Sequence, residues 1–350
     1  MDISQTESIE IIEQSQINEA RRKVVSYARE HGLSEKSRDR LAIVCTELGT
    51  NLIKHTPHGG QLLLQAVIEE DREGIELYAL DNGNGMDTNI CMVDGFSSTG
   101  TMGTGLGAIA RLTDDFHIHA TTGKGTVIQT RIWDPARSND SADQQLPEFA
   151  NPRRAKYSFG GLNIPKKGEV ISGDKWNVVQ KGDYLNVLLV DGLGHGIEAS
   201  DASTLAIKRF KENLNLPPAA LMKLLHQSLR GSRGAVAAVA RINLVKDTLD
   251  YCGLGNVAGI IYLPTERKHL VSMNGTVGYE ARKFMEFNLP FPKESILVMH
   301  SDGLSSKTFS AMDDVFEKEA ALIAGWLVQQ HAKNNDDASV IVVRPRMLRT

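Results

Sequence analysis

Glu47 and Asn51 stand four apart in Glu47-Leu48-Gly49-Thr50-Asn51, inside a stretch with helical spacing, so both side chains fall on one helix face. An amide oxygen is a hard ligand suited to Mg2+, and a carboxylate beside it can orient or deprotonate a hydroxyl nucleophile. Farther on, Asp81-Asn82-Gly83-Asn84-Gly85 closes a strand-like run. Asp81 at such a strand end can accept a hydrogen bond from a purine amino group, while Gly83 and Gly85 let the backbone pass close to a flat base. Gly103-Thr104-Gly105-Leu106-Gly107 then offers backbone N–H groups at a helix start, where phosphate oxygens are favoured. Each piece alone is common, as a solvated helix face or a turn. Their order and close spacing point to a Mg-nucleotide pocket.

A second acidic set fills the other half of the chain: Gly173-Asp174, Asp191-Gly192-Leu193-Gly194-His195-Gly196, Ser301-Asp302-Gly303 and Asp336-Asp337. Asp191 and Asp302 each follow an apolar strand-like run and precede glycine, which projects a carboxylate and frees the next carbonyl. Asp336 precedes another apolar run and can reach the same end. A single Asp-Gly pair is a turn; several at strand ends suggest a metal site. Oxygen-only ligands select Mg2+ or Mn2+ over zinc, and two such ions about 4 Å apart clamp a phosphoryl group and activate water. No nucleophilic Cys or Ser motif competes with that chemistry.

The elements that must position these groups divide into two domains. The chain has 350 residues, 41% hydrophobic and 23% charged, with a net charge of -4, enough for two cores and without the clustered basic residues that a nucleic-acid partner needs. Cys45, Cys91 and Cys252 lie far apart, with no thiolate-site spacing. No apolar run reaches membrane-span length, and the start does not resemble a secretory signal, so a cytoplasmic protein without a membrane partner is expected. A Pro-, Ser-, Asn- and Asp-rich stretch marks a linker over 135–154, between domains 1–134 and 155–350.

In the first domain the pattern gives a strand over Ser8–Glu13, helices over Gln16–His31 and Glu35–His55 with Ser34 as N-cap, and strands over Gln61–Glu69 and Gly74–Asp81. A helix over Gly105–Thr113 and two more strands follow, layering helices on one mixed sheet. In the second domain strands run over Tyr184–Val190 and Ile296–His300, helices over Gly196–Asn213 and Pro218–Arg230, strands over Ala235–Leu270, and a last strand over Ala338–Val343. Two stacked sheets flanked by helices are expected.

The first set resembles the ATP-binding fold shared by histidine kinases, Hsp90, gyrase and bacterial anti-sigma serine kinases, the GHKL type of α/β sandwich. It is most similar to the switch kinases of the RsbT type, a likeness extending to Asp94-Gly95-Phe96-Ser97-Ser98-Thr99-Gly100 and Gly123-Lys124-Gly125-Thr126. The resemblance implies ATP with Mg2+ as cofactor, Asn51 as metal ligand, Glu47 as catalytic base and Asp81 as adenine contact. Gly83, Gly85, Gly103, Gly105, Gly107 and Thr126 would line the pocket. The stretch before Glu47 is too short for a helical hairpin bearing a phosphoacceptor histidine, and His31 and His55 flank helix ends. Serine phosphorylation of a protein is the activity implied.

The second set resembles the metal-dependent Ser/Thr phosphatases of the type 2C superfamily, in their SpoIIE and RsbX branch, with an α-β-β-α sandwich. Arg233-Gly234-Ala235-Val236-Ala237-Ala238 and Tyr251-Cys252-Gly253-Leu254-Gly255-Asn256-Val257 extend the likeness. It implies two Mn2+ or Mg2+ ions, with Asp191 bridging both and the Gly192 carbonyl on one. Asp302 and Asp336 would hold the other ion, and Asp174 would bind directly or through water. His195 sits four residues after the bridging position rather than the two of the eukaryotic relatives, so a loop role competes with general acid. No phosphate-binding arginine is evident at the front of the domain, where only Arg153 and Arg154 sit. The implied protein both adds and removes phosphate on a STAS-domain antagonist or scaffold feeding a sigma-factor pathway. The alternative is a phosphatase regulated by a nucleotide-binding or partner-docking, non-catalytic kinase-like domain.

Overall fold

The computed structural model describes residues 2–3, 5–69, 72–86, 105–134, 157–305, 314–333 and 335–346. The chain divides into two compact units, Met1–Arg154 and Ala155–Thr350. The linker expected over 135–154 lies outside the described residues, as do Gly103, Asp94–Gly100, Arg153 and Arg154.

In the first unit, strands β1 (Asp2–Ile3), β2 (Glu7–Ile11), β3 (Gly60–Glu69), β4 (Arg72–Asp81), β5 (Asp115–Thr121) and β6 (Gly125–Trp133) form one sheet. Its order is β1-β3-β4-β6-β5, with β2 also on β3. Every pairing is antiparallel, not mixed as the element order suggests. The reason is topological. A helix joins β4 to β5, and those two strands point the same way, but the hairpin strand β6 is slotted between them.

Helices α1 (Gln14–Glu30), α2 (Glu35–His55) and α3 (Gly105–Leu112) cover one sheet face. α1 begins two residues before the expected Gln16, because Glu13 and Gln16 form a reciprocal capping box. Its Glu cap, in place of Ser or Thr, made that start easy to miss. Ser34 caps α2 as expected, accepting from the Ser37 N–H, and its hydroxyl donates to Asp134 at 2.6 Å. Ile17 and Val24 of α1 and Leu41 and Leu48 of α2 pack on Leu62, Leu64, Leu77 and Ile128.

Strand alternation turns the residues between these to the other face. There Glu76, fully buried, accepts from Gln65 Nε2, Gln129 Nε2 and Arg131 Nη2, each at 2.7 Å. Removing one partner of a buried ion pair strands the other charge. Glu76→Ala is therefore expected to destabilise the protein by about 3–5 kcal/mol, read as a shift in the urea midpoint of its unfolding.

The second unit contains β7 (Tyr157–Ile164), β8 (Asp174–Lys181), β9 (Tyr184–Gly192), α4 (Ile197–Glu212), α5 (Pro218–Ser228), β10 (Ala235–Asn243) and β11 (Thr248–Leu254). β12 (Ala258–Tyr262), β13 (Arg267–His269), β14 (Ser272–Met273), β15 (Phe287–Pro290), β16 (Ile296–His300), α6 (Ala320–His331) and β17 (Ala338–Pro345) follow. One sheet runs β14-β11-β10-β9-β8 with β15 on β11, and the other runs β13-β12-β16-β17-β7. α4 and α5 pack on the first sheet, and α6 on β7 and β17 of the second. The result is the expected α-β-β-α sandwich. α6 is buried all round from Ala320 to Val328, as its apolar sequence requires. Among the described residues no helix is long and apolar enough to cross a membrane.

Candidate active sites

In the first unit α2 is the spine of the site. Glu47, Asn51 and His55 recur every four residues along one face of it. α3 approaches that face end-on, so a β-carbon at Gly105 would stand 3.4 Å from Glu47 Oε2 and 3.7 Å from Asn51 Oδ1. Arg40 fixes the other end of α3, donating from Nε to the Leu112 carbonyl at 2.8 Å and pairing with Asp114 at 3.1 Å. Buried Ile109 anchors the helix to the core. Gly107 is the third residue of α3, half-buried.

The C-terminal end of α2 reaches the Asp81 loop. A β-carbon at Gly83 would lie 3.3 Å from Thr56 Cγ2 and 3.5 Å from the His55 carbonyl. Asp81 closes β4 opposite Thr126 of β6 and accepts from the Gly83 N–H at 2.8 Å. Burial raises its carboxyl above the ordinary range, and hydrogen bonds from Gly83 and Thr126 pull it back. Gly85 has φ +72, and a β-carbon there would sit 2.6 Å from the Thr121 carbonyl. Glycine is thus required where the loop folds against the β5–β6 turn. Glu47, Asn51, Asp81, Gly83, Gly85, Gly105, Gly107 and Thr126 are all placed around α2 and its two flanking loops.

In the second unit the acidic residues converge on one edge of the sandwich. Asp174 opens β8 directly opposite Asp191 near the end of β9, and the Gly192 N–H donates to the Gly173 carbonyl at 3.2 Å. A side chain at Gly192 would collide with the Ala199 carbonyl, so the Asp-Gly pair lets α4 pack tightly behind the carboxylate. Asp302 follows β16, and exposed Asp336 precedes β17.

Their electrostatics conflict. Burial, then Asp174, Asp302 and Asp336, hold the Asp191 carboxyl above neutrality. Burial also raises fully buried Asp174, with the Ser301 hydroxyl opposing. Asp302 is raised by burial and by Asp336. Asp174 Oδ2 is buried with no hydrogen-bond partner among the described residues. An all-oxygen set of mutually repelling carboxylates with an orphaned buried oxygen fits divalent cations. Among the described residues no three His, Cys, Asp or Glu side chains already form a closed metal cluster; the carboxylates converge without making a finished shell.

The Asp302-Gly303 turn does not free its carbonyls, contrary to the sequence expectation. After β16 both carbonyls are engaged: Lys333 Nζ donates to Asp302 O at 2.5 Å, and the Lys333 N–H donates to Gly303 O at 2.8 Å. Asp337 is buried and accepts from the Lys166 N–H at 2.7 Å and the Gly173 N–H at 2.8 Å, so it fastens the loop leading to Asp174. His195 is half-exposed and pairs with Glu169 at 2.6 Å. Sequence reasoning missed Asn256, which donates to Asp302 Oδ2, and Asn163, which donates to the Asp174 carbonyl at 2.8 Å. Asn163 carries no local signal, and Asn256 stands in a readable motif but meets Asp302 only through the pairing of β12 with β16.

Residues 12–148 match the family model described as histidine kinase-like ATPase domain, and residues 181–346 match that of stage II sporulation protein E (SpoIIE). The serine/threonine-protein kinase RsbT of Bacillus subtilis (strain 168) is 33% identical over 107 residues, 30% of this chain and 80% of that protein. The phosphoserine phosphatase RsbX of the same organism is 29% identical over 144 residues, 41% of this chain and 72% of that protein. A structure described as part of the bacterial stressosome, a modular system adapted to control secondary messenger signaling, aligns with a TM-score of 0.52 at 25% identity. That alignment covers 54% of this chain and 100% of the other. With both halves accounted for, the chain belongs to the RsbT-like branch of the histidine kinase-like ATPase family, and its second half is similar to SpoIIE and to the phosphatase RsbX.

Proposed function

We propose that this protein is a bifunctional partner-switching regulator that phosphorylates serine or threonine on a STAS-domain protein and removes the same phosphate. The observation that carries the reading is one chain holding both an RsbT-like and an RsbX-like domain, the second with its carboxylates facing one another. In the first domain Asn51 holds Mg2+ through its amide oxygen, Asp81 accepts from the adenine amino group, and Gly83, Gly85, Gly105, Gly107 and Thr126 shape the pocket. Glu47 accepts the proton of the attacking hydroxyl. Gly103, outside the described residues, belongs to the same phosphate loop in this reading.

In the second domain Asp191, the Gly192 carbonyl, Asp174, Asp302 and Asp336 hold two divalent cations, Mn2+ or Mg2+. When bound, these ions supply Lewis-acid polarisation and lower the pKa of water. Asp337 positions the Gly173–Asp174 turn, and Asn256 and Lys333 orient Asp302. The test pairs two reactions on the purified protein: labelled Mg-ATP with unphosphorylated STAS protein, and Mn2+ with its phosphoserine form. Label transfer together with phosphate release is expected. Release without transfer would reduce the first domain to a nucleotide-binding or docking module regulating the phosphatase.

A further inference from the structure

A site that gathers carboxylates must still attract a dianionic phosphate monoester, which calls for a cation of the protein's own. Lys333 stands against the acidic edge, but its ammonium is engaged by the Asp302 carbonyl. Arg233 stands there too, on the exposed turn leading into β10. Backbone pairing locks that turn to the metal-site loop. Ala235 and Val236 are opposite Gly192 and Asp191, and the Leu193 N–H donates to the Gly234 carbonyl at 3.1 Å. The guanidinium lies over the left-handed Gly194, where a β-carbon would meet Nη1 at 2.9 Å.

Arg233 Nε donates to Glu198 in the first turn of α4. Both side chains are well exposed, at 49% and 69%, and such pairs are worth little. Glu198 is thus a weak acceptor that a stronger one can displace. A phosphate monoester is that stronger acceptor, because it carries close to two negative charges against the carboxylate's one and offers the guanidinium fork three strong acceptor oxygens. Exposed Leu193 and Ile197 bracket the same turn, offering an apolar shoulder to a protein surface around the phosphoserine.

We propose that Arg233 recognises the substrate phosphoryl group, exchanging Glu198 for phosphate when the phosphoprotein docks. This rests on the phosphatase reading above. No bond is made or broken in the exchange; one ion pair replaces another.

The test measures phosphate release from the phosphoserine STAS protein by the full chain with Mn2+, together with inhibition by inorganic phosphate. Arg233→Gln is expected to raise KM and weaken phosphate inhibition by about 10- to 100-fold, the scale of a lost charge-assisted hydrogen-bond pair. Its kcat should fall less, its Mn2+ affinity should hold, and Arg233→Lys should recover part of the loss. Glu198→Gln is expected to lower KM, since the competing carboxylate is gone. An unchanged KM in Arg233→Gln, or a raised KM in Glu198→Gln, would overturn the proposal. Failure of the phosphatase reading itself looks different: the wild-type protein would release no phosphate.

Discussion

Asp191→Asn is expected to abolish phosphate release and, in chelator-treated protein, to raise the melting temperature. The loss should reach at least about 10³-fold, the scale seen when a central member of a catalytic set is removed. The stabilisation follows from the charge conflict at the acidic edge. Burial and three neighbouring carboxyls keep Asp191 protonated in the folded chain to above neutrality, whereas the unfolded chain releases that proton near pH 4. Without cations, stability therefore falls as pH rises through that window.

Buried His300 works the other way. Burial pushes its imidazole down to about 4, so it removes stability only as pH falls below about 6.5. Above that pH the raised Asp191 and Asp174 carboxyls lead the fall, and the buried Cys45 and Cys252 thiols add to it as pH approaches about 8.5. Calorimetry with chelator between pH 7 and 8.5 should show a falling melting temperature for wild type and a flatter, higher one for Asp191→Asn. Mn2+ should raise the wild-type value strongly and the variant's weakly. Undiminished phosphate release by the variant would remove Asp191 from the metal site.

The second large effect separates binding from transfer in the first domain. Asn51→Ala is expected to lose Mg-dependent nucleotide binding while phosphate release by the second domain continues. Glu47→Gln keeps the shape and the hydrogen-bonding reach of the side chain but cannot take a proton. It should bind nucleotide like wild type and lose transfer to the STAS protein by about 10²- to 10⁴-fold. Calorimetric titration of nucleotide beside a label-transfer assay distinguishes the two. Equal transfer by Glu47→Gln and wild type would take Glu47 out of the base role.

Much of this was legible in the sequence because the groups sit at element ends with strong local signatures. Asp81, Asp191 and Asp302 each close an apolar strand, and Glu47 and Asn51 share a helix spacing that no tertiary contact can alter. What was not legible arrives through tertiary folding. Asn256 comes from the turn before β12 and meets Asp302 where the β12–β16 pairing is extended by two residues, and Lys333 comes from beyond α6, where Ala332 bridges Leu304. The engagement of the Asp302 and Gly303 carbonyls hides for the same reason. Arg233 is part of a motif readable in the sequence, yet its station over Gly194 depends on β10 pairing with β9. The sheet of the first unit misled differently, since a helix between two strands reads as a crossover even when a third strand is slotted between them.

The most direct test of the account is steady ATP consumption by the full chain with Mg-ATP, Mn2+ and the STAS protein together. If one chain both adds and removes the same phosphate, ATP hydrolysis should continue only while the STAS protein is present. Asp191→Asn should then give a single stoichiometric burst of phosphorylated STAS protein, and Glu47→Gln should give no consumption. Hydrolysis that ignores the STAS protein, or that persists in Glu47→Gln, would contradict the bifunctional switch.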